Sequence, residues 1–409
     1  MKIRHTIIYR EIDKLLRILY NRSKPKKIRR LAGKEEIVVL FILNDVSKWK
    51  SEKLYLEMVN NSKFKPILGI TYRNGDSLSS YSEKVVQLER YLNNKKYPYI
   101  ELNNKIKPNP DIVIYTEPYA STVPFNQSAY LYWDSLFINI PYSSHTAHLN
   151  IDYYARMHHM AWIDCYESKV ALEDAYKYIG HNRPSLRLTG LPIFDILLDK
   201  TKVNPWKKQS KIVKKIIWAP HHSLGGFSNE TIIYGNFLQM YDLMIEIALL
   251  YKDKVQIAFK PHPLLKEKLI KLWGAQATDD YYRKWDNLPN GQLETGDYVD
   301  LFKTSDALIH DSSSFIVEYQ ILNKPTLFVV RDEEAICKDL NRFGRQFFYA
   351  QRLAYNKEDI IEFVNDVIND VDIKHEERES IIYNDMKGLK GKSACQNIID
   401  LILSECNKN

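Results

Sequence analysis

Asp306-Ala-Leu-Ile-His-Asp-Ser-Ser-Ser-Phe-Ile-Val-Glu-Tyr-Gln-Ile-Leu-Asn-Lys-Pro-Thr-Leu-Phe-Val-Val330 is the stretch whose reading decides the fold. Ala307 to Ile309 form an apolar run of strand length, and His310 to Ser314 form a polar elbow. Phe315 to Leu322 carry apolar residues at helical spacing until Asn323, Lys324 and Pro325 end the pattern. Thr326 to Val330 then supply a second apolar strand. Two wholly apolar strands joined through a short helix predict a parallel unit buried on both faces, and ligands of such sheets bind beyond the carboxyl ends of the strands. The serines sit at that end. Ser312, Ser313 and Ser314 would offer hydroxyls and main-chain N–H groups at a helix N-terminus, which suits a phosphate or diphosphate. Glu318, about one helical turn on, would accept from ribose hydroxyls. The same residue types also serve as ordinary caps at any strand-to-helix junction, so the rest of the chain has to choose.

The chain has 409 residues, 45% of them hydrophobic, and carries a net charge of +7. That length exceeds what a single core usually supports and predicts two domains. Four cysteines without pair spacing argue against a zinc cluster or a disulfide framework and fit a reducing compartment. No secretory leader is apparent, and no apolar run approaches the roughly 20 residues that span a bilayer. A cytoplasmic protein is expected, peripheral at most to the inner face of the plasma membrane. Lys24, Lys26, Lys27, Arg29 and Arg30 cluster directly after a helical segment, Ile7 to Tyr20. That arrangement suits an anionic membrane surface, an acidic polymer or merely a solvated helix end. No nucleic-acid reading motif accompanies the charge, so nucleic acid is not an expected partner.

Short apolar strands alternate with helical segments along the first half: Glu36–Leu43, Lys65–Thr71, Asp111–Tyr115, Leu136–Ile140 and Trp162–Tyr166. The Lys-rich stretch Thr201 to Lys215 reads as a linker, after which the same grammar restarts with strands Lys215–Ala219 and Val255–Phe259. The expected segments are a basic N-terminal helix and linker (1–34), a first Rossmann-like domain (35–204), a second Rossmann-like domain (205–385) and a C-terminal helix packing back on the first domain (386–409). Two such α/β domains facing each other across a cleft are the inferred architecture.

Three loops of the second half each follow a strand directly: Pro220-His221-His222-Ser223, Lys260-Pro261-His262-Pro263 and His310-Asp311-Ser312-Ser313-Ser314. In a parallel sheet all three open on one edge, which would bring imidazoles, a lysine and hydroxyls together. Such donors suit a diphosphate whose leaving phosphate gains charge as its bond breaks.

This combination resembles the CDP-glycerol glycerophosphotransferase family, the teichoic acid polymerases and primases. The residues that carry the resemblance are Ala219-Pro220, Lys260-Pro-His-Pro263 and Ser305-Asp306 through Asp311-Ser-Ser-Ser314 to Lys324-Pro325, with Thr189-Gly-Leu-Pro192 and Gly391-Lys-Ser-Ala-Cys-Gln-Asn-Ile as looser matches. The resemblance implies a GT-B fold and attack by an acceptor hydroxyl on the β-phosphorus of CDP-glycerol, with release of CMP. It implies that His262 holds the phosphates, that Ser312 to Ser314 hold the diphosphate, and that Glu318 holds the ribose, while Lys260, His221 and His222 are donor-binding candidates through the convergence of the three loops. Where the family carries a His-Gly-Thr-Pro stretch, this chain reads Pro141-Tyr-Ser-Ser-His-Thr-Ala-His148. A histidine near its ordinary pKa accepts a proton from a hydroxyl at neutral pH, which makes His145 the first candidate base and His148 the second. His158 and His159 read as helix-surface residues.

Expected partners are therefore a nucleotide-activated donor, CDP-glycerol or a related unit, and a polymer or lipid-linked acceptor. No cofactor and no metal site are demanded, although Asp306 and Asp311 are the acids nearest a magnesium ion if one binds. A GT-B glycosyltransferase using a nucleotide sugar for capsule or lipopolysaccharide is the alternative enzyme. A non-catalytic nucleotide-binding scaffold is the alternative outside enzymes.

Overall fold

The computed structural model describes residues 7–72, 78–102, 108–117, 124, 127–147, 153, 155–181, 183–200, 203–224, 234–313, 315–389 and 391–407. The chain divides into two compact units, Met1–Asp195 with Lys387–Asn409, and Ile196–Met386. The expected α/β class holds in both.

The first unit contains β1 (Ile37–Leu43), β2 (Phe64–Ile70), β3 (Tyr99–Glu101), β4 (Ile112–Tyr115), β5 (Leu136–Asn139), β6 (Ile163–Tyr166) and β7 (Leu186–Leu188). They make a parallel sheet in the order β3-β2-β1-β4-β5-β6-β7. The second unit contains β8 (Lys214–Ala219), β9 (Val255–Phe259), β10 (Gly291–Leu293), β11 (Ala307–His310), β12 (Thr326–Val329) and β13 (Arg352–Ala354). These are also parallel, in the order β10-β9-β8-β11-β12-β13. Central strands such as β4, β5, β6, β9 and β11 are buried throughout, as continuous apolar runs in parallel sheets should be. In each sheet the strand order reverses once, between β1 and β4 and between β8 and β11. Crevices for ligands open at such switch points.

Large aromatic side chains fix the sheet of the second unit from one side. Trp218 of β8 stacks on Phe259 of β9 with centroids 4.9 Å apart, and Trp285 packs on both. The strands that end in the Pro220 and Lys260 loops are thereby held in one register. Of the stretch expected to be a linker, residues 203–215 pack on the second unit: Trp206 is buried, its Nε1 donates to Thr304 Oγ1 at 3.0 Å, and the Lys207 N–H donates to Gln292 Oε1 at 2.9 Å.

The N-terminal helix does not stop at Tyr20. It runs from Ile7 to Ala32 with Pro25 inside it, so the basic cluster lies within the helix and not in a linker behind it. Tyr20 is fully buried and donates to Ser135 O at 2.8 Å. Lys24 Nζ reaches Ala161 O and Arg30 Nη2 reaches Asp134 O, both at 2.6 Å, while Lys27 donates to Trp133 O. Burial pulls Lys24 down to about 7 and Lys27 to about 8. Part of the positive charge thus fastens the helix to the first unit.

The C-terminal helix Ala394–Asn407 belongs to the same unit, and Asp195 explains how it is docked. Its two carboxylate oxygens accept the main-chain N–H groups of Ala394 and Cys395 at 2.9 and 2.8 Å, capping the helix from almost 200 residues away. Gly190 makes room for the incoming segment. Its φ is +81°, and a Cβ there would lie 2.4 Å from the carbonyl oxygen of Lys387. The Thr189-Gly-Leu-Pro turn is therefore a docking element for the chain end. No described helix is long and apolar enough to cross a membrane.

Candidate functional site

The three loops expected to converge do so at the carboxyl edge of the second sheet, on both sides of its switch point. Asp311, directly after β11, joins them: Oδ1 accepts the His221 main-chain N–H and Oδ2 that of Asn236, each at 2.6 Å. Asp311 is buried, and loss of solvent pushes its carboxyl up to about 6 despite those bonds. It acts as a tie between loops, and its role was not legible from a residue that also fits a cap or a metal ligand.

Three imidazoles cluster beside this tie. Ring centroids of His221 and His222 lie 4.1 Å apart, those of His222 and His262 4.5 Å, and those of His221 and His262 5.6 Å. Each Nδ1 is met by a local donor. That of His221 accepts the Ser223 N–H at 3.2 Å, with Ser223 Oγ 2.9 Å away. The Nδ1 of His222 faces the Lys268 ammonium at 3.1 Å. That of His262 accepts the Leu264 N–H at 3.1 Å, capping helix Pro263–Trp273. An ammonium or amide N–H cannot accept, so the neutral rings carry their proton on Nε2. Burial, then the neighbouring imidazoles and Lys268, pull His221 down to about 3. Burial, His222, Lys260 and Lys268 pull His262 down to about 4. The cluster crowds imidazole donors together with lysines, and an anion placed among them would relieve that crowding.

Lys260 is largely buried, with Nζ on Gly296 O at 2.7 Å. Ser312 is buried and its N–H contacts His310 Nδ1 at 3.3 Å, while Ser313 is half-buried and Ser314 lies outside the described residues. The helix after the serines is shorter than its apolar spacing predicts. It spans Phe315–Glu318, gives way to a 3-10 turn at Gln320–Leu322 and ends at Asn323 in the left-handed region. A helix of four residues has little macrodipole, whereas the helix capped by His262 runs eleven residues, with its first main-chain N–H groups, those of Leu264 and Leu265, already accepted by His262. Glu318 is buried and accepts from the Tyr298 hydroxyl. His310 is a core residue, its ring against Phe328 and its Nε2 3.0 Å from Gln351 Oε1. Lys324 donates to the carbonyls of Phe302, Lys303 and Ser305 at 2.7 to 2.9 Å, and so ends helix Val299–Thr304. A shallow cleft of about 750 Å³ between helices Arg342–Tyr349 and His375–Asn384 contains none of the expected residues.

In the first unit, His145 follows β5 and is buried, with Nδ1 2.8 Å from Glu167 Oε2. His148 lies outside the described residues. His158 is not on a helix surface as expected. It is buried, with Nδ1 2.6 Å from Asp164 Oδ2, and Asn139 donates to the other oxygen of Asp164 at 2.8 Å. At this sheet's switch point Glu117 accepts from Lys48 and from Asn44, the latter at 3.4 Å. Sequence reading missed Glu167, Lys268, Lys48 and Glu117, whose only signal was an ionisable residue placed shortly after a strand or one turn into a helix.

The fold has counterparts among known proteins. Among solved structures, a putative UDP-N-acetylglucosamine 2-epimerase from Listeria monocytogenes matches with a TM-score of 0.59 at 17% identity, covering 91% of this chain and 98% of its own. A variant of the wall teichoic acid polymerase TagF matches with 0.57 at 14% identity, covering 98% and 99%, and the same polymerase soaked with CDPG matches with 0.58 at 13%, covering the same shares. These likenesses establish a GT-B-like fold. No curated protein matches the sequence. The family described as CDP-Glycerol:Poly(glycerophosphate) glycerophosphotransferase matches residues 166–404, more than half of the chain and all three loops of the histidine cluster. On that evidence the chain belongs to the CDP-glycerol:poly(glycerophosphate) glycerophosphotransferase family and is a transferase of that kind.

Proposed function

We propose that this transferase extends a cell-surface polymer, a teichoic acid or a capsule chain, by moving glycerol phosphate from CDP-glycerol to a polymer or lipid-linked hydroxyl. The observation that carries the reading is the cluster of His221, His222 and His262, three Nε2–H donors beside Lys268 and a helix N-terminus. In this reading the acceptor hydroxyl gives its proton to His145 Nε2 while its oxygen bonds to the β-phosphorus. The bond from that phosphorus to the bridging oxygen breaks, and CMP leaves with the electron pair. The charge growing on CMP falls among the three imidazoles, which is where donors fixed in advance lower the barrier. Ser312, Ser313 and Glu318 complete the donor site.

Helix Ile7–Ala32 supports contact with an anionic membrane surface. Ile12, Leu15 and Leu19 are exposed, as are Arg22, Lys26 and Arg29, and their spacing of three and four residues puts them on one face. Flotation with vesicles should depend on anionic lipid and weaken with salt. Flotation independent of both would end this part of the reading.

Calorimetric titration with CDP, UDP and GDP tests the donor, with His222→Ala/His262→Ala as the control. Selective CDP binding, lost in the double variant, is expected. Selective UDP or GDP binding would favour the nucleotide-sugar glycosyltransferase, and binding without turnover on any acceptor would favour the scaffold.

A further inference from the structure

Glu167 follows β6 directly, is fully buried, and holds His145 at two points. Its Oε1 accepts the His145 main-chain N–H at 2.6 Å, and its Oε2 lies 2.8 Å from Nδ1 of the ring. The adjacent Tyr166 ring stacks on the imidazole, with centroids 4.0 Å apart and planes 6° from parallel. The carbonyl of Glu167 accepts the Lys387 N–H at 2.8 Å, and Ser168 caps helix Lys169–Ile179, so the carboxylate stands on a fixed main chain.

We infer that Glu167 is the positioning residue for His145, holding Nδ1 protonated so that Nε2 presents the lone pair that takes the acceptor proton. The inference rests on the reading of His145 as the base. A carboxylate only accepts, so Nδ1 has to donate. This is the opposite tautomer from that of the three histidines in the second unit, whose Nδ1 atoms accept and whose Nε2 atoms carry hydrogen. One set is built to donate to phosphates and the other to take a proton. The negative charge of Glu167 also favours the imidazolium that forms, and the proton then leaves to solvent. Among the described residues, the charged or titratable groups near the ring include Glu167, Asp164 with its partner His158 behind it, and Tyr166. The His158–Asp164 pair resembles this dyad in geometry, but its Nε2 is buried and has no hydrogen-bond partner among the described residues, which marks it as a core pair.

The test uses the full chain with CDP-glycerol and a synthetic acceptor primed with glycerol phosphate. Glu167→Gln should lower kcat on the order of 100-fold and leave CDP affinity unchanged. It should also move the acid limb of the kcat profile to lower pH, because a less supported imidazole is a weaker base. An unmoved limb with kcat near wild type, while His145→Ala is inactive, would overturn the inference. Turnover retained in His145→Ala would instead overturn the base assignment. Nitrogen-15 spectra of imidazole-labelled wild-type protein, with His145 assigned from the signal lost in His145→Ala, read the tautomer whether or not the Glu167 variant folds. Protonated Nδ1 supports the inference, and protonated Nε2 contradicts it.

Discussion

The carboxylate of Asp311 accepts the main-chain N–H of His221 at 2.6 Å and so ties the end of β11 to the loop after β8 across the switch point of the second sheet. Its other oxygen holds Asn236, the residue that opens helix Phe237–Leu250. Asp311→Ala leaves two buried N–H groups without acceptors, each worth about 1–3 kcal/mol. A fall in melting temperature together with at least a tenfold loss of CDP affinity is expected. Wild-type affinity and stability in this variant would show that the tie is dispensable.

Donor binding should draw in protons. The rings of His221 and His262, pulled down to about 3 and about 4, are neutral at pH 7 in the free protein, and a diphosphate beside them raises their affinity for protons. CDP affinity should therefore rise as pH falls from 7.5 to 6, and the binding heat should vary with the ionisation enthalpy of the buffer. Identical heats in phosphate-free buffers of different ionisation enthalpy would contradict the account.

Acid should also unfold the second unit early. His221, His262 and His310 all bind protons more weakly folded than unfolded, the last pulled down to about 4 by burial. Their contribution is whole above the ordinary histidine value of about 6.5 and is lost as pH falls toward 4. Asp311, raised to about 6, works the other way, since it gains a proton more readily in the folded state. Three groups outweigh one, so the melting temperature should drop between pH 6.5 and 4.5. A flat profile over that range would show that the imidazoles are accessible and ordinary.

In the first unit, Asp195→Ala removes both acceptors from the start of helix Ala394–Asn407. A loss of about 2 kcal/mol is expected from the cap. It should be read by denaturant unfolding, with faster proteolysis of the C-terminal helix. Unchanged protection of that helix would mean that its apolar face, not the cap, docks it.

Much of this was legible in the chain. Continuous apolar runs such as Ile37–Leu43 and Val255–Phe259 announced buried parallel strands, and three polar loops each following a strand announced one shared edge. The three-residue edge strands β3, β7, β10 and β13 carried no usable period. The length of the N-terminal helix was hidden by Pro25, which reads as a stop but lies within it. Apolar spacing from Phe315 to Leu322 did not reveal the change from helix to 3-10 turn. At the site, residue type pointed to His145 and His262 but not to their partners. Glu167 and Lys268 act through contacts between elements that no local pattern encodes.

The central claim is that the histidine cluster holds the diphosphate of CDP-glycerol while glycerol phosphate is transferred. The most direct measurement follows CMP release and polymer mass together, with CDP-glycerol and an acceptor primed with glycerol phosphate, in wild type and in His222→Ala/His262→Ala. The account predicts one CMP for each glycerol phosphate added and a loss of at least 100-fold in kcat/KM in the double variant. Wild-type turnover in that variant, or polymer growth with a nucleotide sugar and none with CDP-glycerol, would contradict it.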